Sequence, residues 1–235
     1  MKVLITFGAG GQHYIDAGNR LIKQAKSTMY FDKTILYTDK DLQNDKHFWA
    51  QHSSFISRNR RGYGYWLWKS YLIQKTMATM EDEDILMYLD SGCEIGGDKQ
   101  SLIPDFFEYV KQDKIIGTTT SSINLERDWN KMDTIMHFDM QDSPLLHTHQ
   151  HQGGVLLLYV CNEVKNIIDL WYTTACNYHL IDDSPSKNPN LKCFKEHRHD
   201  QSIFSLITKK YGPFSKRTLF DVIYVNRNRT GISRI

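Results

Sequence analysis

The chain has 235 residues, 40% hydrophobic and 24% charged, enough for a domain-sized core and unlike a disordered or fibrous protein. Its 29 basic and 27 acidic side chains leave a net charge of +2, which argues against a protein built to neutralise nucleic-acid phosphates. Four scattered cysteines form no C-x-x-C pair, and no apolar run approaches the roughly 20 residues of a membrane span. Reduced thiols and a cytoplasmic location are therefore expected, with any membrane contact peripheral.

Residues 2–7 are β-branched and apolar and run into Gly8-Ala9-Gly10-Gly11, the pattern of a buried strand opening into a turn. A helix is predicted over 14–25 and a second strand over 34–38, closed by Asp39-Lys40-Asp41. Strand, helix, strand at this spacing predicts a parallel βαβ unit. His13 stands where the third glycine of a dinucleotide fingerprint belongs, so the loop either meets a nucleotide base or ribose or is a plain turn. Phe7 and Gly8 at the first strand end and Thr38 at the second are the candidate contacts there. A basic, glycine-bearing loop over 58–64 leads into a helix over 65–80, a strand over 84–89, a helix over 104–111 and a strand over 115–118. Residues 121–152 read as irregular with short elements. A strand over 155–160, a helix over 163–178, a loop over 182–192, a helix over 201–210 and a final strand over 222–225 complete a single domain.

Two positions stand out against this pattern. Lys69 shares a helical stripe with Tyr65, Trp66 and Ile73, and a cation in an apolar stripe costs free energy unless its amine reaches water or an anion. A diphosphate is such an anion, with Arg60 and Arg61 just upstream; snorkelling to solvent is the plainer reading. Asp90 ends the apolar run Ile85-Leu86-Met87-Tyr88-Leu89, and Ser91-Gly92 follow. Ligands of open α/β sheets sit beyond carboxyl strand ends, where a carboxylate suits a divalent cation bridging phosphates. Glu94 faces the same way as Asp90 but lies roughly 13 Å along an extended chain, too far to share an ion unless the chain turns at Gly92.

The block Arg61-Gly62-Tyr63-Gly64-Tyr65-Trp66-Leu67-Trp68-Lys69, then 84–94 ending in Asp90-Ser91-Gly92-Cys93-Glu94, then 196–204 beginning Glu196-His197-Arg198-His199-Asp200, resembles GT-A-type glycosyltransferases of bacterial surface-polysaccharide and large-DNA-virus origin. The resemblance implies an α/β, GT-A-like single domain with a mostly parallel central sheet flanked by helices. Its nucleotide-binding half would cover about 1–95 and its acceptor half about 96–235. It also implies a nucleotide-sugar donor, such as a UDP-sugar, a glycan, glycolipid or glycoprotein acceptor, and Mn or Mg. The family's Asp-x-Asp motif is degenerate here, with Gly92 in place of the second aspartate. Arg61, Trp66, Lys69, Asp90, Ser91 and Gly92 then join Phe7, Gly8 and Thr38 on the donor side, and Asp90 and His197 are the candidate metal ligands.

His147, His149 and His151 alternate, as zinc ligands on an extended segment can, but their polar neighbours favour a loop. By the resemblance, His151, Gln152 and Gly153, with His199, flank the acceptor. Asp200 precedes an apolar helical pattern, where an N-cap belongs. It also suits a base for an acceptor hydroxyl, or a carboxylate beside developing positive charge. Asp90 and Asp200 are thus the candidate catalytic residues. A nucleotidyltransferase acting on a sugar phosphate and a non-catalytic nucleotide- or sugar-binding protein are the alternatives.

Overall fold

The computed structural model describes residues 1–120 and 124–235; residues 121–123, at the start of the expected irregular stretch, lie outside the described residues. Strands β1 (Lys2–Gly8), β2 (Lys33–Thr38), β3 (Ile85–Leu89), β4 (Ile115–Ile116) and β5 (Val155–Tyr159) form one sheet in the order β2-β1-β3-β5-β4. β1 pairs parallel with β2 and β3, whereas β5 runs antiparallel between β3 and β4. The expected mostly parallel sheet is therefore a mixed one in which β5 alone is reversed. Helix α1 (Gln12–Thr28) makes the β1–β2 crossover of the predicted βαβ unit.

Alternation along the strands divides the core into two layers. Val3, Ile5, Phe7, Leu86, Tyr88, Leu156 and Leu158 face one layer. There they meet α4 (Leu67–Met77), α6 (Met132–His137), α7 (Asn162–Ala175) and α8 (His199–Lys210). Leu4, Ile85, Met87, Leu89 and Leu157 face the other, against Leu21 of α1 and Phe107 of α5 (Ile103–Asp113).

Several boundaries differ from those expected. Asp39 does not merely close a strand: α2 (Asp39–Asn44) and α3 (Lys46–Arg58) fill 39–58. The Thr38 amide and hydroxyl both donate to Asp41, and Asp45 accepts from the Phe48 amide, so both helix starts carry side-chain caps. The final strand is absent; Tyr224 makes a single antiparallel bridge to Glu94, and the chain then folds back over the sheet edge. Asp200 is not an N-cap either. Helix α8 begins at His199, which puts Asp200 in its first turn with its side chain turned inward.

Candidate active site at the carboxyl edge of the sheet

Because β1, β2 and β3 run parallel, Gly8, Thr38 and Asp90 reach the same edge. β5 runs the other way, so Gly153 and Gly154 arrive there from its amino end, and the Asp90 amide donates to the Gly154 carbonyl (2.8 Å). Asp90 projects into the layer occupied by Tyr88, whose hydroxyl donates to Asp90 Oδ1 (2.7 Å). Lys69, from the first turn of α4, lies 3.4 Å from Asp90 Oδ1 and 2.9 Å from Asp200 Oδ2. One ammonium thus joins two carboxylates contributed by different elements. Its side chain is 4% exposed and that of Asp200 7%, but Asp90 is 47% exposed. Lys69 does not snorkel.

The electrostatics follow from burial. Burial pushes the Asp200 carboxyl up to about 6, with Lys69 pulling it down and Asp90 pushing it further up. Burial also pulls the Lys69 ammonium down, but Asp200 and Asp90 together hold it above the ordinary lysine value. The two carboxylates need glycine beneath them: a Cβ at Gly154 would fall on Asp90 Oδ2, and one at Gly153 would lie 3.3 Å from Asp200 Oδ2. Trp171 of α7 fixes the start of α8 by donating from Nε1 to the Asp200 carbonyl (2.9 Å).

The segment before α4 takes an unusual path. Gly62, Tyr63, Gly64, Tyr65 and Trp66 all have positive φ (57°, 54°, 84°, 53° and 61°), a left-handed turn. That is why α4 starts at Leu67, not at 65. Left-handed backbone costs non-glycine residues roughly 1–2 kcal/mol each. The turn is tied down by the Gly64 amide on the Asn59 carbonyl (2.8 Å) and by Trp68 Nε1 on the Gly62 carbonyl (2.9 Å). Arg61 pairs with Asp183 (3.2 Å) and Glu196, and Tyr65 and Trp66 lie against the His199 ring at centroid distances of 4.8 and 5.5 Å. Strain of this kind, over-determined by its surroundings, gathers at functional sites.

Not every expected residue joins this cluster. Phe7 is buried beneath Trp68, with stacked rings 3.9 Å apart, so its side chain is core, and Gly8 is kept small by the Tyr14 carbonyl. Thr38 caps α2. Ser91 is buried, and its carbonyl accepts from Arg20 (2.8 Å). His151 packs flat on Phe214, and Thr208 engages its Nδ1 (2.8 Å). Burial, with Lys209 nearby, pulls it down to about 3. It is a neutral packing residue, not an open acceptor contact. Gln152 Oε1 accepts from Thr118 (2.8 Å). The alternating histidines do not converge on an ion, since His147 meets Arg127 and His151 meets Thr208.

His197 is a correction. Its Nε2 donates to the Leu180 carbonyl (2.9 Å) and its Nδ1 accepts from the Lys131 amide (3.2 Å), which leaves no lone pair for a metal. Glu94 is equally committed. The chain does turn at Gly92, yet the carboxylate is swallowed rather than presented, ion-paired to buried Arg20 (3.3 Å) and accepting from Asn226 (2.6 Å) and Asn228 (2.7 Å). Among the described residues no group of three or more His, Cys, Asp or Glu side chains is arranged to hold a metal. Asp90 Oδ1 is already taken by Tyr88 and Lys69. These residues do not fit the resident Mn or Mg that the resemblance implies.

Arg20, Asn226 and Asn228 were not singled out in the sequence, and Tyr88 and Gly154 were given no role of their own. For Arg20 a signal existed: it lies in register with Ala17 and Leu21 on the buried face of α1, the same displaced cation that drew attention to Lys69. No helix among the described residues is long and apolar enough to cross a membrane.

No protein-family model matches the sequence, and no curated protein matches it either. Among solved structures, it is similar to mouse xyloside xylosyltransferase 1 in its apo form, at 14% identity over 93% of this chain and 86% of that one, with a TM-score of 0.47. It is also similar to the galactosyltransferase LgtC in complex with donor and acceptor sugar analogs, at 12% identity over 92% of this chain and 73% of that one, with a TM-score of 0.50. The five-stranded mixed sheet flanked by helices is thus of the GT-A fold, as in LgtC.

Proposed function

We propose that the chain transfers a sugar from a nucleotide-sugar donor to a glycan or glycoconjugate acceptor. The observation that carries this reading is Lys69 bridging an exposed carboxylate, Asp90, and a buried one, Asp200, at the carboxyl edge of a GT-A sheet. Fold analogy alone does not specify chemistry, so the reading rests on what these groups can do.

Glycosyl transfer breaks the bond between the anomeric carbon and the diphosphate, whose oxygen keeps the electron pair. The acceptor oxygen forms the new bond and loses its proton. Asp200, with a carboxyl titrating near 6, is ionised at neutral pH yet basic enough to take that proton. Its Oδ2 is buried against the Lys69 ammonium (2.9 Å), the contact that an acceptor hydroxyl would have to share. Asp90, more exposed, meets the donor, and Tyr88 and Lys69 fix its orientation. Gly153 and Gly154 leave the space above both carboxylates free of side chains. His199 supports the acceptor side, and its tilted ring contact with Trp66 joins it to the donor-side segment. The blocks at 61–69, 84–94 and 196–204 favour a surface polysaccharide or related glycoconjugate as acceptor.

Incubation with a panel of nucleotide-sugars, reading nucleoside diphosphate release, tests this. One donor should be turned over, and Asp90→Asn and Asp200→Asn should each lose roughly 100-fold or more while unfolding cooperatively like the parent. Unchanged turnover in both variants would remove the assignment. Release of pyrophosphate from a nucleoside triphosphate and a sugar phosphate would make the chain a nucleotidyltransferase instead.

A further inference from the structure

The position of the missing second carboxylate is not empty. A Cβ built on Gly92 would lie 3.1 Å from the Cα and 3.3 Å from the carbonyl carbon of Arg227, so the backbone of a distant segment fills the space into which a side chain at 92 would point. The Asn228 amide donates to the Gly92 carbonyl (2.8 Å), which fixes that segment in register. Arg20 reinforces it from below, donating to the Asn228 (2.9 Å), Thr230 (2.6 Å), Ser91 (2.8 Å) and Cys93 (2.7 Å) carbonyls. Arg227 itself is exposed and held at φ 52°, a left-handed conformation that only a well-supported non-glycine residue keeps. The residue whose backbone occupies the space beside Gly92 thus carries an exposed guanidinium.

That guanidinium has company. Arg198, two residues before Asp200, stacks over Trp129 at 4.2 Å, and its buried Nε has no hydrogen-bond partner. Burial draws Arg198 below the ordinary guanidinium range; Glu196 opposes this, and Arg227 and Arg61 both add to it, so each of those two lies within electrostatic reach of Arg198. Guanidinium groups repel when gathered without an anion and bind diphosphate oxygens as charged forks when one arrives.

We propose that Arg227, with Arg198 behind it, neutralises the donor's diphosphate in place of a divalent cation, so that the donor binds without metal. This rests on the glycosyl-transfer reading and extends it, assigning the charge on the leaving group to this chain's own side chains. A metal bridging two phosphates needs carboxylate ligands, and here one such position is backbone while the remaining carboxylate already holds Lys69. A fork of N–H donors needs none.

The test is binding, not turnover. UDP, GDP, ADP, CDP and TDP are titrated against the intact chain by calorimetry, in EDTA and then in Mn or Mg. One nucleoside diphosphate should bind equally under both conditions. R227A should weaken it about ten- to hundredfold, with R227K recovering part of the loss and the melting temperature without ligand unchanged in both. Binding that requires Mn or Mg, or R227A binding like the parent, would overturn the proposal while leaving glycosyl transfer standing. Failure of every nucleoside diphosphate under every condition would remove the glycosyl-transfer reading and this one with it.

Discussion

Lys69 decides the chemistry of the site because it answers to two carboxylates at once. Removing one partner of a buried ion pair typically costs about 3–5 kcal/mol. Lys69→Met should therefore lower the unfolding free energy by roughly that much in chemical denaturation at neutral pH. The pH dependence has a definite sign. Asp200 has a folded pKa of about 6, above the roughly 3.9 of an unfolded aspartate. Its contribution to stability is therefore full below about 4 and lost as the pH rises through about 6. Lys69 pulls that pKa down, so in Lys69→Met the same loss should extend to higher pH. Activity runs the opposite way, because the base must be ionised: kcat/KM should fall on acidification with an apparent pKa near 6. A flat profile between pH 5 and 7 would remove Asp200 from the proton transfer. Gly154→Ala probes geometry alone. Its Cβ would displace Asp90 Oδ2, the oxygen of this half-exposed side chain that neither Tyr88 nor Lys69 holds, so turnover should fall with little change in melting temperature.

At the scale of elements, the strands and the longer helices were legible because their apolar spacing is regular. β1, β3 and β5 follow the expected runs within a residue or two, and α7 begins one residue earlier than the pattern indicates. What the pattern missed has physical causes. α2 buries little beyond Leu42, and α3 buries Phe48, His52, Phe55 and Ile56 along one face of an otherwise polar segment. The segment 222–225 has strand composition but no neighbour to pair with along its length, because the sheet ends at β2 and β4. The left-handed turn at 62–66 could not be read at all, since tyrosine and tryptophan disfavour that conformation and only their tertiary contacts enforce it. Gly62 carries the consequence. It combines φ 57° with the Trp66 ring lying directly over it, so Gly62→Ala is both strained and crowded. That variant should lose more than the roughly 1 kcal/mol of an ordinary glycine replacement and expose 60–66 to proteolysis; unchanged protection would mean the turn is held by its flanks alone.

For the whole molecule, the site was half visible. Lys69 and Asp90 stand out in the sequence because each breaks a local rule, a charge in an apolar stripe and a carboxylate at the tip of a buried run, whereas Asp200 stands where an N-cap belongs and carries no such mark. The wall built by 226–234 was invisible, because its meaning lies in Glu94 and Arg20, 132 and 208 residues away from Asn226 and Asn228 respectively. Asn228→Ala removes a hydrogen bond to a buried carboxylate and should cost about 1.5–3 kcal/mol, read as a lower denaturation midpoint. The same wall sets an order of events on the ribosome. Synthesis runs from residue 1 onward, so Asp90, Gly92 and even α8 emerge before the strand of chain that seals them. Contacts across such separations form late and slowly. A nascent chain arrested near residue 215 would carry both carboxylates and their lysine, yet leave Glu94 without Asn226 and Asn228 and Gly92 without Arg227 beside it, and it should neither bind nor turn over donor until residues 226–234 are in place.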